Sequence, residues 1–597
     1  MIVATRLSPS PRRGVAPIRR LSLLWLAITG LALSGLAAGP GRGFAQGHTD
    51  TRRVVSSTPA TAAALADTAR VRRWREEVRA ITQRVRHQHP RPFAFSSEAA
   101  FDSSARAIEA RIATSDDARL AVECMRMVAA LGDAHTQVIG TLPPLGFTTV
   151  LPIVMRPFED GLYVTAAGPE YAAWVGSKVT RIGELATDDA LARVASATSA
   201  DNRYTQLDRA PLFLMMPALL QALGVVPDRD RVSLEIERAP GKRERIVVIG
   251  GPPPEGFPFA FLETEPPIPA AWTSARRVTA NALPRCDQRP ESAWWFEVLP
   301  DSRAVYLRLR RIEPISGDLA YFELYRRLFA VLDSLKPSAL IVDLRHDHGG
   351  NNTILDPLIR GIIARPWLDR QGALFALIDR GTFSAAMNAA VFLDERTRAL
   401  FIGEPTGGRV NHYGDAPERD TPNFGMMLQV STVPWTSRFP NDDRAWIAPE
   451  HAVPSTFADW REAKDRALDS ALEALREGAL SPRVLASAKR SGTEAAQATF
   501  EAWRAAHPSP WETDPHGDLA GYCADLIEAG EWRDAAVLGE VMVALDPRSS
   551  ISWRLLGEAA AANGNRARAV ECLKKTLEIN PRAQVAAMML RRLGEKP

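Results

Sequence analysis

The stretch GALFALIDRGTFSAAMNAAVFLDERTRALFIGEPTGGR, Gly372 to Arg409, decides the fold. Its apolar run Leu374 to Ile378 reads as a buried strand, Phe383 to Leu393 as a helix and Ala399 to Gly403 as the next buried strand, which makes a βαβ unit. Ser384 sits where that strand turns into that helix. A hydroxyl there lies beside the helix amides that begin at Ala385, so one place offers a nucleophile and anion stabilisation. Serine also favours the capping position of a helix, with Thr382 able to help, and a cap needs no partner elsewhere in the chain.

Upstream, strand Ala304 to Leu309, helix Asp318 to Leu335, strand Ala339 to Leu344, the turn HDHGGNN and helix Ile354 to Ala364 lead into this unit. Strands alternating with helices predict an α/β core with a mostly parallel sheet over 293–475. Helical patterns run from Val71 to His87, Glu98 to Ile112 and Asp117 to Leu131, within a helical segment 67–146 that includes LGDAHT; Gly132 reads as the last C-cap and places His135 just past a helix end. From 147 to 251 the pattern changes to short strands with one helical segment near Asp188 to Ser196, and GSKVTRIGELATDDAL resembles a PDZ-like β module. Such a module either holds an extended peptide at a sheet edge or serves as a spacer or lid. Residues 252–292 are proline-rich and read as a surface linker.

The chain has 597 residues, 73 basic against 70 acidic side chains and a net charge of +3, with no basic stripe interleaved with aromatics, so nucleic acid is not the expected partner. Arg12, Arg13, Arg19 and Arg20 precede the apolar run Leu21 to Leu36 and a Gly43-Phe44-Ala45 cleavage site, which reads as a secretion signal over 1–45. A periplasmic or secreted protein with no membrane span after signal removal is expected, followed by a flexible leader over 46–66. Four scattered cysteines, Cys124, Cys286, Cys523 and Cys572, suit neither a disulfide scaffold nor a zinc site, although export permits one or two bridges. At the other end, beyond a helical linker over 476–515, Leu519 and Trp553, Gly530 and Gly564, Ala535 and Ala569, and Pro547 and Pro581 are each 34 positions apart. That is the period of tetratricopeptide repeats, here two copies over 516–597 with an extra helix from 582 to 594. They either bind a protein partner or cover the core.

LGDAHT at 131–136, IVDLRHDHGGN at 341–351, GTFSAAMN at 381–388 and GEPTGGR at 403–409 together resemble the C-terminal processing, or tail-specific, family of serine peptidases, over roughly residues 70–475. The resemblance implies a crotonase-like core with an inserted PDZ-like domain, a peptide or protein substrate and no cofactor or metal. Relatives of one kind pair the serine with a lysine after GEPT; here Arg409 stands there, and arginine cannot serve as a base. The tricorn-like kind uses a histidine from the GDxHT segment, which His135 matches, and an acid near the end of the core, where Asp443 falls with Asp442 and Glu450 close by. Gly350 and the Ala385 amide match the oxyanion donors, with Gly349 the near rival of Gly350 and a substrate-side residue. His412 is a substrate contact or rival base. His346 and His348 around Asp347 replace the usual Asn-rich turn; they can ligate zinc, but turn residues at a pocket rim are the plainer account. A catalytically dead scaffold that binds partners through its PDZ-like and repeat modules is the competing expectation.

Overall fold

The protein is described by a computed structural model over residues 59–597, except 256, 258–267, 277–282, 300–303, 314–317 and 509–514. The expected secretion signal, most of the expected leader and part of the proline-rich segment lie outside the described residues. Apart from the first turn of the helix that begins at Pro59, the described residues fall in the compact unit Ala63–Pro597.

The core is a six-stranded sheet with the order His451–Ala452, Leu400–Gly403, Leu374–Ile378, Ala339–Asp343, Ala304–Leu309, Trp294–Leu299. All neighbours are parallel except the last pair. Five-residue strands such as Leu374–Ile378 are buried throughout because both faces are covered. On one face Val305, Leu307, Val342 and Ala376 pack under helices Asp318–Leu335, Asp356–Ile363 and Ala385–Arg396. On the other, Tyr306, Ile341, Phe375 and Ile402 meet helix Arg466–Glu477. Alternate side chains thus point to two separate hydrophobic layers, which accounts for the unbroken apolar runs in the sequence.

Helices Pro59–Gln88, Glu98–Arg111 and Asp117–Ala129 share one hydrophobic core with a second, antiparallel sheet in the order Ile153–Phe158, Gly161–Ala167, Lys178–Ile182, Arg231–Ala239, Lys242–Ile249. The expectation of a single helix between these strands is corrected. Besides Thr187–Ala195, helices Arg203–Leu214 and Pro217–Ala222 are present. Asn202 caps the first through the Tyr204 and Thr205 amides, Pro217 opens the second, and both are buried on most sides, so no regular apolar stripe marks them in the sequence. The proline-rich segment is also less superficial than expected where it is described: Thr273–Ser274 pairs with strand Gly161–Ala167, and Cys286 is buried.

Beyond the core, helices Leu480–Ser491 and Thr493–Ala506 lead to five more, Pro515–Glu528, Trp532–Leu545, Ser550–Ala562, Arg566–Ile579 and Gln584–Arg592. Gly530 and Gly564 both take positive φ, 78° and 79°, at the turns between consecutive helices, where a left-handed residue ends one helix and starts the next. All four cysteines are buried free thiols. No described helix is long and apolar enough to cross a membrane.

Candidate active site

Ser384 does not cap its helix. It has φ 54° and ψ −121°, a conformation strongly disfavoured for a residue with a Cβ, and its side chain accepts no amide of the helix Ala385–Arg396. Two buried groups hold the turn: Thr382 Oγ1 donates to the Leu344 carbonyl at 2.9 Å, and the Phe383 amide donates to the Asp347 carbonyl at 3.0 Å. The hydroxyl is thereby raised toward a cleft of about 190 Å³ lined by His135, Arg209, His348, Arg380 and Phe383.

Across that cleft His135 Nε2 lies 3.0 Å from Ser384 Oγ. These residues are brought together by a small antiparallel sheet, in which Gln137–Ile139, two residues after the histidine, pairs with Met427–Gln429 from the segment between core strands Leu400–Gly403 and His451–Ala452. The Ser431 amide donates to Thr136 Oγ1 at 3.0 Å and fixes the same junction. The imidazole stacks on Phe383, centroids 4.4 Å apart, with His412 behind it at 6.0 Å. Loss of solvation holds the His135 pKa well below its ordinary value, against the opposing pull of Asp133. The neutral imidazole that a general base requires is therefore the resting form.

The acid nearest this histidine is Asp133. It is buried: Oδ1 accepts the His135 amide at 3.0 Å, and Oδ2 meets His89 Nε2 at 3.0 Å and accepts from Ser431 Oγ at 2.7 Å. Burial pushes its pKa up, but the His89 contact and the neighbouring charge and hydroxyls outweigh this and hold it low. Asp201 Oδ1 accepts the Ala134 amide at 2.8 Å while Arg209 donates to the Ala134 carbonyl at 3.2 Å, so the peptide before the histidine is gripped on both sides. Sequence reasoning missed Asp133, Asp201 and Arg209. Asp133 stands inside LGDAHT, but the other two lie in the segment whose helix carried no periodic signal.

Asp443 is corrected as the orienting acid. It is exposed and makes no hydrogen bond, because the ion pairs of its loop go to Asp442, which Arg444 holds at 2.8 Å. The neighbouring alternative, Glu450, accepts the Phe401 amide at the sheet edge. His135 Nδ1 is buried and has no hydrogen-bond partner. His412 is corrected as a substrate contact: it is buried behind His135, with Nδ1 3.1 Å from the Arg409 carbonyl. The Arg409 side chain lies over Phe95 instead of the serine, 4.2 Å from the ring centroid.

The glycine turn packs directly on Ser384. A Cβ on Gly349 would stand 2.5 Å from the Ala385 amide nitrogen and 2.7 Å from Ser384 Cβ, so only glycine fits, and its φ of 100° suits glycine as well. Asp347 Oδ1 accepts the Gly349 amide at 2.8 Å, which occupies that donor. Gly350, with φ 137°, and Ala385 keep amides that no backbone carbonyl takes. His346 Nδ1 pairs with Asp379 at 2.8 Å and His348 Nε2 with Asp208 at 3.2 Å. The two histidines thus diverge to different acids instead of converging on an ion. Donor atoms of Cys286, Asp287 and His346 lie within 4.8 Å of one another, but Arg276 already holds Asp287 at 2.6 Å and burial keeps the Cys286 thiol protonated.

No family model and no curated protein matches this chain. Among solved structures it is similar to mature CPAF, at 14% identity over 68% of this chain and 98% of that one with a TM-score of 0.48. It is similar to the photosystem II D1 C-terminal processing protease, at 14% identity over 66% of this chain and 98% of that one with a TM-score of 0.30. The tricorn protease shares 13% identity over 68% of this chain and 37% of its own length, with a TM-score of 0.31.

Proposed function

We propose that the chain is a serine peptidase of the C-terminal processing type that hydrolyses peptide bonds through an acyl-enzyme. The reading rests above all on the 3.0 Å contact between His135 Nε2 and Ser384 Oγ. His135 takes the hydroxyl proton as the oxygen attacks the scissile carbonyl, and returns it to the leaving amine; such a base supplies roughly a hundred- to ten-thousand-fold. The negative oxygen is received by the Ala385 and Gly350 amides, and water then releases the acyl group. The core is read as crotonase-like, the antiparallel sheet as PDZ-like, holding a peptide end, and the terminal helices as tetratricopeptide repeats that recruit a protein partner. Export to the periplasm or beyond follows from the amino-terminal signal pattern.

A second reading, a scaffold without catalysis, is favoured by one observation: no acid touches His135 Nδ1. A fluorophosphonate probe separates the two. Labelling that disappears in both Ser384→Ala and His135→Ala supports the peptidase; a folded wild-type chain that is never labelled supports the scaffold.

A further inference from the structure

His89 is a buried histidine that follows directly on the helix ending at Gln88, its amide donating to the Val85 carbonyl at 3.2 Å. Pro90 has no N–H to offer, so the next amide, that of Arg91, folds back and donates to His89 Nδ1 at 3.0 Å. An amide nitrogen only donates. Nδ1 is therefore an acceptor, and the ring proton stands on Nε2. From there it is donated to Asp133 Oδ2 at 3.0 Å, while the ring rests against Tyr413 with centroids 4.6 Å apart. One tautomer and one orientation are fixed by these contacts.

Asp133 thus receives three donors, His89 Nε2–H and Ser431 Oγ–H on Oδ2 and the His135 amide on Oδ1. A buried carboxylate supplied with donors keeps its charge, whereas one deprived of them takes up a proton. That charge reaches the imidazole: Asp133 opposes the loss of solvation that lowers the His135 pKa. His135 Nδ1 itself has no hydrogen-bond partner. The negative charge that a serine triad sets at that nitrogen is supplied here from the main-chain side, at the histidine's own amide. Two of the three donors belong to the neighbourhood of His135, where the Ser431 amide also bonds Thr136 Oγ1. His89 alone comes from the amino-terminal helices and ties them to the site.

We propose that His89 is a positioning residue for the peptidase reaction: its Nε2–H keeps the Asp133 carboxylate charged and in its grip on the His135 amide. The buried pair then does from behind the main chain what the acid of a triad does at the ring nitrogen. This rests on the peptidase reading of Ser384 and His135. His89 touches no substrate and moves no proton in the reaction.

The rate of fluorophosphonate labelling of the full chain, followed over a range of probe concentrations, tests this in His89→Leu and His89→Gln. Glutamine keeps an N–H donor to set against Asp133, and leucine has none. His89→Leu is expected to lower the maximal labelling rate about tenfold or more, the scale of one hydrogen bond to a charged group, with the half-saturating probe concentration within about twofold of wild type. His89→Gln recovers most of that loss. A labelled wild type with His89→Leu within about twofold of it overturns this proposal alone, as does His89→Gln no faster than His89→Leu. A wild type that is never labelled overturns the peptidase reading and this proposal with it. Should His89→Leu not fold, nitrogen-15 NMR of the histidine-labelled chain decides: the ring signal lost in His89→Gln must report a proton on Nε2, and a proton on Nδ1 overturns the proposal.

Discussion

The Asp347 carbonyl accepts the Phe383 amide at 3.0 Å, so the residue that begins the glycine turn also fixes the residue before the nucleophile. Asp347 Oδ1 holds the Gly349 amide as well, and its Oδ2 is buried without a partner. One residue therefore bears on both the strained serine, through its carbonyl, and the turn proposed to receive the oxyanion, through its carboxylate.

Burial raises the Asp347 carboxyl to about 7, whereas in the unfolded chain it ionises near the ordinary value of about 3.9. The folded state binds the extra proton between those values, so this group's contribution to stability is lost as pH rises from about 4 to about 7. Asp347→Asn cannot ionise, and its melting temperature falls less over that interval than that of the wild type. Thermal melts at half-unit pH steps check this.

Gly349→Ala places a methyl against the Ala385 amide and Ser384 Cβ. Displacing the nucleophile and the donor together lowers kcat by about a hundredfold or more, the scale of losing one oxyanion donor. Steady-state assay with a peptide substrate, alongside circular dichroism to verify folding, measures it.

Asp443 is exposed and unpartnered, whereas Asp133 carries three hydrogen-bonding contacts in a buried setting. Asp443→Asn leaves kcat/KM within about twofold, as surface substitutions generally do. Asp133→Asn leaves the buried His89 and Ser431 groups imperfectly matched, at a cost of about 1–3 kcal/mol, and lowers kcat/KM by shifting His135. Denaturant melts and kinetics on the two variants decide between the acids.

His135 is held neutral by desolvation, so the acid limb of kcat/KM is not centred at the ordinary imidazole value of about 6.5 but lies at lower pH. A pH profile of kcat/KM locates it. A limb at about 6.5 that disappears in no His135 variant means that another group controls the reaction.

Ser384 and His135 act as one unit in the proposed mechanism, so removing either costs about 10⁴-fold or more and removing both costs little beyond that. Single-turnover rates of Ser384→Ala, His135→Ala and the double variant measure this; additive losses contradict the pairing.

The sequence by itself determined the parallel core and the contents of its candidate-site segments. A strand covered on both faces needs an uninterrupted apolar run, and Leu374–Ile378 appears where such a run stands. The type of each chemical group, hydroxyl, imidazole and glycine amide, was equally legible, because side-chain chemistry is local. Position across the chain was not. Asp443 has the right residue type at a plausible distance in sequence, yet it is exposed, whereas Asp133 is buried and hydrogen-bonded beside the histidine, and nothing in linear spacing records which acid is desolvated. Helices Arg203–Leu214 and Pro217–Ala222 hid Asp201 and Arg209 for the same reason: a helix buried on most sides mixes polar and apolar residues by tertiary contact and shows no clear 3.6-residue period. Only the tertiary structure, through the pairing of Gln137 with Gln429, carried an imidazole across 249 positions to a serine whose backbone is strained to meet it.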